Sequence, residues 1–295
     1  EHPDEYRDLV SLFSHEYLHQ WNVKRLRPKC FLDYDLQSEV HTDLLWWFEG
    51  ATCWLGDMMC VRSGAWTEKD WRLDFERKMK RHTAKNGMLR ESLAESSHDA
   101  WIHLYRSNAF SRETQISYYL EAELGIFCLD AELRRRSKGK HGICDLMAKL
   151  CEKYALGYPN TTKLGVDYKD IRKELVNMEG GRNLGMYLDD MVYTKSAPEI
   201  THALEFYGLG LTSKINQDKT PSLSWLGLNI SDKAGRVTVS SHQSNSTLRN
   251  LIMPGDELIA INSMRVNNVK SIKTILSKLD PNEVDICYNH EGIVK

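Results

Sequence analysis

The chain has 295 residues, 27% of them charged, and a formal net charge of -2; it is long enough to bury a sizeable core in one to three domains. That balance leaves no basic footprint for nucleic acid, and no apolar run reaches the length of a membrane span or forms a signal peptide. Seven cysteines (Cys30, Cys53, Cys60, Cys128, Cys144, Cys151 and Cys287) are scattered without a C-x-x-C pair. They read as reduced, mostly buried thiols of an intracellular, cytoplasmic protein, with a disulfide between two of them left open.

Apolar residues recur at three- and four-residue spacings over 4–20, 43–62, 68–83, 115–137, 144–154 and 167–178, which predicts amphipathic helices. Turn residues punctuate them at Pro28, Gly64, Asn86-Gly87, Gly157-Tyr158-Pro159-Asn160 and Gly180-Gly181. Near residue 205 the character changes. Short half-polar runs at 226–230, 236–240, 257–262 and 284–288 predict strands, and 269–279 a further helix. The expected architecture is a mainly α lobe over 1–205 followed by a small α+β module over 206–295, with 194–223 as linker and early strand. No internal repeat or low-complexity segment is present.

The first predicted helix carries His15-Glu16-Tyr17-Leu18-His19, an H-E-x-x-H motif. Histidines four apart share one helix face, so both imidazoles can reach a single zinc ion. Glu16, next to the first histidine, is placed to take a proton from the attacking water. A third ligand is offered by Glu49, thirty residues after His19 and directly after Leu44-Leu45-Trp46-Trp47-Phe48. A carboxylate there is costly to desolvate unless a cation or hydrogen-bond donors compensate it. Two histidines, one glutamate and an open position form a catalytic zinc set. Asp57, eight residues beyond Glu49, lies within about eighty degrees of it on a helix and is expected to orient a ligand histidine.

The stretches SHEYLHQWNVKRLRP and LLWWFEGATCWLGDMMCVRSG together resemble the glycyl aminopeptidases, family sixty-one of the metallopeptidases. That family runs an H-E-x-x-H helix into W-N-V-K-R-x-R-P and then an E-G-x-T helix. Glu95-Ser-Ser-His-Asp-Ala-Trp-Ile102 and Ile116-Ser-Tyr-Tyr-Leu120 resemble its later blocks. The resemblance implies a thermolysin-like zincin lobe of the gluzincin type, with one zinc per chain on His15, His19 and Glu49 and with Glu16 as general base. It also implies peptide substrates with a small amino-terminal residue such as Gly or Ala. Tyr119 would donate a hydrogen bond to the developing oxyanion, with Tyr118 the competing candidate, since adjacent helical residues point about a hundred degrees apart. Lys24 and Arg25, beside the zinc helix, would support the site or anchor substrate.

Met253-Pro254-Gly255-Asp256-Glu257-Leu258-Ile259-Ala260-Ile261-Asn262 resembles the P-G-D-x-I-x-x-I-N strand of PDZ domains. Trp225, Leu226, Gly227 and Leu228 would then form the loop and strand that capture a peptide or protein carboxyl terminus. The chain departs from the family in two places. Glu121-Ala122 stands where Lys-Gly usually follows S-Y-Y-L. Only fourteen residues precede the motif, where family members carry a β-rich domain, so the chain is expected to be a fragment or the product of a truncated gene. His41, His82, His98 and His103 lack ligand spacing. The cluster Arg134-Arg135-Arg136 suits the negative end of a helix.

The expected function is zinc-dependent removal of small amino-terminal residues from peptides. A peptide-binding scaffold acting through the PDZ groove is the alternative. A structural zinc protein is disfavoured, because structural sites usually take four protein ligands.

Overall fold

The structure is a computed structural model of the 295-residue chain. It describes residues 2–33, 35–83, 90–103, 105–106, 108, 110–212, 226–233, 235–243, 246–278 and 284–295. They divide into two compact units, one built from Glu1–Thr83, Met88–Arg106 and Gln115–Leu211, the other from Ala84–Gly87, Ser107–Thr114 and Thr212–Lys295. Among the described residues no helix is long and apolar enough to cross a membrane. All seven cysteines are free thiols.

In chain order the helices are α1 (Asp4–Leu18), α2 (Thr52–Arg62), α3 (Glu68–Thr83), α4 (Leu93–His98), α5 (Ser111–Thr114), α6 (Leu120–Arg136), α7 (Ile143–Tyr154), α8 (Tyr168–Val176), α9 (Leu184–Tyr193), α10 (Ile200–Phe206) and α11 (Val269–Leu276). The first unit is helical. Its axis is α6, buried along most of its length, with Leu124, Ile126, Leu129 and Leu133 all fully buried. α2, α3, α7, α9 and α10 pack around it. The first unit extends past the expected break at 205, because α10 runs to Phe206 and packs on α6.

α2 is entered through a π-helical turn, Trp46–Ala51, with Trp46, Trp47 and Phe48 fully buried. Two glycines let neighbouring helices close around this turn. A Cβ on Gly50 would lie 2.4 Å from Ala122 Cβ on α6, and one on Gly56 would lie 3.3 Å from the His15 amide nitrogen on α1.

The second unit holds an antiparallel sheet of β1 (Leu228–Lys233), β2 (Arg236–His242), β3 (Glu257–Ile261), β4 (Met264–Arg265), β5 (Ile286–His290) and β6 (Ile293–Val294). Strand order is β1-β2-β3-β5-β6, with β4 also pairing to β3. α11 covers a separate core that includes Val237, Val239, Leu258, Ile261 and Ile272. The short strands β4 and β6 carry too few residues to show an alternating pattern in the sequence. Asp256 is buried, accepts a hydrogen bond from the Met253 amide at 2.7 Å and contacts His290 Nδ1 at 2.7 Å, pinning the turn into β3.

Candidate metal centre

α1 ends where its ligands begin. His15 lies in its last turn, and His19 is the C-cap residue, its amide bonded to the His15 carbonyl. The pair therefore shares one face. Glu49 comes from the π-helical turn, whose wider coil frees backbone carbonyls from the ordinary ladder. Asn22 holds that turn: its buried Nδ2 donates to Thr52 Oγ1 at 2.9 Å and to the Trp47 carbonyl at 3.2 Å. The Asn22 carbonyl in turn accepts from His19 Nδ1 at 2.8 Å. One residue thus orients a ring from α1 and the backbone that presents Glu49.

The three donor groups converge. His15 Nε2 and His19 Nε2 are 3.0 Å apart, and Glu49 Oε2 lies 3.1 and 3.3 Å from them. Among the described residues this is the cluster of three or more His, Cys, Asp or Glu groups able to hold a metal. The donor chemistry fits zinc. Tetrahedral coordination with bonds near 2.0–2.1 Å sets ligand atoms ~3.3 Å apart. His19 Nδ1, committed to a carbonyl, also fixes the tautomer that leaves Nε2 free to bind a metal.

Electrostatics reinforce the convergence. Burial pushes the Glu49 carboxyl up, but the hydrogen bonds and charges of His15 and His19 outweigh it, so its pKa lies below the usual value. Burial works against charge on His19, yet Glu49 and the Asn22 carbonyl outweigh that and raise its pKa. Glu16 is exposed on the same helix, and its charge also acts on His19.

Both tyrosines lie close to the cluster. The Tyr119 ring centre is 6.1 Å from that of His15 and 4.8 Å from that of Tyr118. Burial, then the Glu49 charge, raise the Tyr119 phenol well above its ordinary pKa, so it stays protonated and able to donate. Tyr118 is almost fully buried and lines a cleft of about 800 Å³ beside Glu49. Tyr105, which the sequence analysis did not single out, helps raise the pKa of both phenols and is itself exposed on that cleft. Lys24 and Arg27 line the cleft as well, as do Trp101 and Arg106.

One expected role is corrected. Asp57 does not touch a ligand histidine; its carboxylate takes Ser11 Oγ at 2.7 Å and the Lys78 ammonium. α1 and α2 run past one another, so each further turn of α2 meets an earlier turn of α1, and Cys53 is the residue opposite His15. Its Sγ lies 3.4 Å from His15 Nδ1, and burial raises the thiol pKa well above its ordinary value. Cys53 stands one turn after Glu49, a spacing that could have flagged it. Arg25 does not line the cleft; its carbonyl accepts from the Leu156 amide at 3.0 Å.

In the second unit Trp225 lies outside the described residues. Leu226 and Leu228 are buried in that unit's core, and Gly227 has a φ of 63° and accepts from the Gln243 amide at 2.8 Å.

Residues 8–124 match the family model described as M61 glycyl aminopeptidase. Over its whole length the chain superposes on a crystal structure of an aminopeptidase N family protein from Idiomarina loihiensis, with a TM-score of 0.85 and 26% sequence identity. The chain spans about half of that protein, 51% of its length. No curated protein matches the chain. The matched segment begins within α1 and ends inside α6, so it contains all three converging donors and both tyrosines. Over this segment the chain is similar to the M61 glycyl aminopeptidase family.

Proposed function

We propose that the helical unit is a zinc-dependent peptidase domain that releases small amino-terminal residues, Gly or Ala, from peptides. The observation that carries the reading is the convergence of His15, His19 and Glu49 within 3.3 Å beside a cleft large enough for a short peptide. Zinc held by these three residues would supply Lewis acidity toward the scissile carbonyl and make water a better nucleophile at neutral pH. Glu16 takes the proton from the attacking water and returns it to the leaving amine. Tyr119, protonated beside His15, donates a hydrogen bond to the carbonyl oxygen as that oxygen gains charge. Asn22 and Cys53 orient the histidine rings. Lys24 at the cleft rim pairs with a carboxylate of the peptide.

For the second unit we propose a PDZ-like module. Its antiparallel sheet covered by α11, and the Pro254-Gly255-Asp256 turn into β3, support that reading. Its edge would take a peptide carboxyl terminus.

The test is release of amino-terminal Gly or Ala from short peptides by the full chain, with zinc measured on the same sample. Turnover that disappears with chelator and in Glu16→Gln supports the peptidase. Bound zinc without turnover in the wild type would favour the peptide-binding scaffold.

A further inference from the structure

The cleft beside Glu49 is unevenly charged. Three cations line it: Lys24, Arg27 and Arg106. Among the described residues none of the three makes an ion pair; Arg27 donates Nε to the Lys24 carbonyl at 3.0 Å, which leaves its charge uncompensated. The lining acids are placed differently. Glu49 is held between His15 and His19, Glu39 contacts His41 at 3.3 Å, and Asp35 accepts from the Gln37 amide at 2.9 Å. With Glu49 committed to the metal set, the lining cations outnumber the acids that remain.

The rest of the wall is apolar and open. Leu36 is 89% exposed, Tyr105 70% and Trp101 48%, and all three line the cleft. The wall is already formed. Trp101 Nε1 donates to the Val40 carbonyl at 3.3 Å, and His41 Nδ1 contacts the His98 carbonyl at 3.0 Å, so the chain around Val40 is tied to the end of α4 and the turn after it. Large side chains left open on a concave surface offer a place for the apolar group of a ligand.

The cations stand next to the chemistry. The Lys24 amide donates to the His19 carbonyl at 3.0 Å, and Arg106 follows Tyr105, the residue that acts on both Tyr118 and Tyr119. A ligand that fills this cleft from the metal end therefore meets apolar wall and uncompensated positive charge together. A carboxylate is the group that such cations bind best, through charge-assisted hydrogen bonds.

We propose that the cleft selects short peptides in which a large apolar side chain and a carboxylate follow the released residue. The apolar side chain lies against Leu36 and Trp101, and the carboxylate meets Lys24 and Arg106. That carboxylate is the terminus of the peptide or an acidic side chain, since the recognising chemistry is the same. The inference rests on the peptidase reading of this site and extends it from the small amino-terminal residue to what comes after it.

The experiment is titration calorimetry of the full chain carrying Glu16→Gln, which leaves the peptides intact. Ala-Ala-Phe should bind at least ~10-fold tighter than its carboxamide if the terminus is held, or Ala-Phe-Glu carboxamide tighter than Ala-Phe-Gln carboxamide by the same factor if a side chain is. Lys24→Gln combined with Arg106→Gln should cut that preference to ~3-fold or less and leave the uncharged peptides unaffected. Replacing Phe by Ala in the peptide should cost ~10-fold, a difference that Leu36→Ser narrows. All three substituted positions are exposed, so the fold is not at stake. Equal affinity with and without the carboxylate, or no saturation by any peptide, would overturn the proposal. So would a preference left intact in the double variant, because the carboxylate would then sit on the metal. Wild-type turnover is followed in parallel. Turnover without the preference removes this inference alone; the preference in binding without turnover removes the peptidase reading alone.

Discussion

Glu49 and Glu121 invite comparison, since each is a largely buried glutamate in contact with a histidine. Glu49 meets two imidazoles at 3.1 and 3.3 Å, and the three donors close on one point. Glu121 meets one imidazole at 2.6 Å and lines a cavity with Glu91, Asp190 and Glu199. The first arrangement suits a point charge; in the second the acids do not converge on one. What separates them is convergence, and convergence comes from the backbone: a helix end at His19 and a π-helical turn at Glu49. A third arrangement lies behind Cys53. There Asp57, Asp74 and Glu123 surround the ammonium of Lys78, so the chain supplies its own cation, while burial raises the Glu123 carboxyl above the ordinary range.

Breaking the first arrangement should have the largest effect. Glu49→Gln should drop zinc from one per chain to near zero and peptide release by ~10³-fold or more, whereas Glu121→Gln should keep its zinc. Elemental analysis of both variants decides whether the two acids differ as described. Removing the internal cation comes next. Lys78→Met leaves buried carboxylates uncompensated and should cost ~3–5 kcal/mol in urea unfolding, and a loss under ~1 kcal/mol would show that those acids are protonated. Tyr119→Phe should lower kcat ~10²-fold with KM nearly unchanged, while Tyr118→Phe should do less; the reverse order would move the oxyanion role to Tyr118. Gly50→Ala forces a Cβ against Ala122 and should destabilise by ~1–3 kcal/mol, read as a lowered thermal midpoint.

The smallest effect is a pH dependence that separates apo from loaded protein. Glu49 has a depressed pKa, so its contribution is present above its unfolded value of 4.5 and is lost as pH falls through the lower folded value. His19 has a raised pKa, so its contribution is present below 6.5 and is lost as pH rises through the higher folded value. Metal-free protein should therefore gain most from this pair between pH 4.5 and 6.5. Zinc requires neutral His19, so the loaded protein should lose the alkaline decline. A decline that persists with zinc bound would argue that His19 is not a ligand.

The site was legible in the sequence where chemistry depends on local spacing. His15 and His19 share a face by helical period alone, and Glu49 stood out as a charge after an aromatic run. Cys53 follows Glu49 by one turn and was equally accessible. Asp57 was misassigned because a single helix gives the direction of a side chain but not the turn of α1 it meets. Tyr105 was missed because it reaches Tyr118 and Tyr119 only through the tertiary fold. The acidic cavity is of the same kind: α4, α6 and α9 bring together residues from Glu91 to Glu199 that no periodicity connects. At the level of elements, the long helices and the strands flanking Gly235 and following Gly255 were visible as patterns. The π-helical turn was not, since its extra residue per turn is set by packing of Trp46, Trp47 and Phe48 and by the Asn22 amide.

The most direct test of the account is zinc content and Gly or Ala release measured together on wild type and Glu16→Gln. One zinc per chain in both, with turnover only in the wild type, is the predicted result. Turnover that survives in Glu16→Gln, or that proceeds at full rate after zinc is removed, would contradict it.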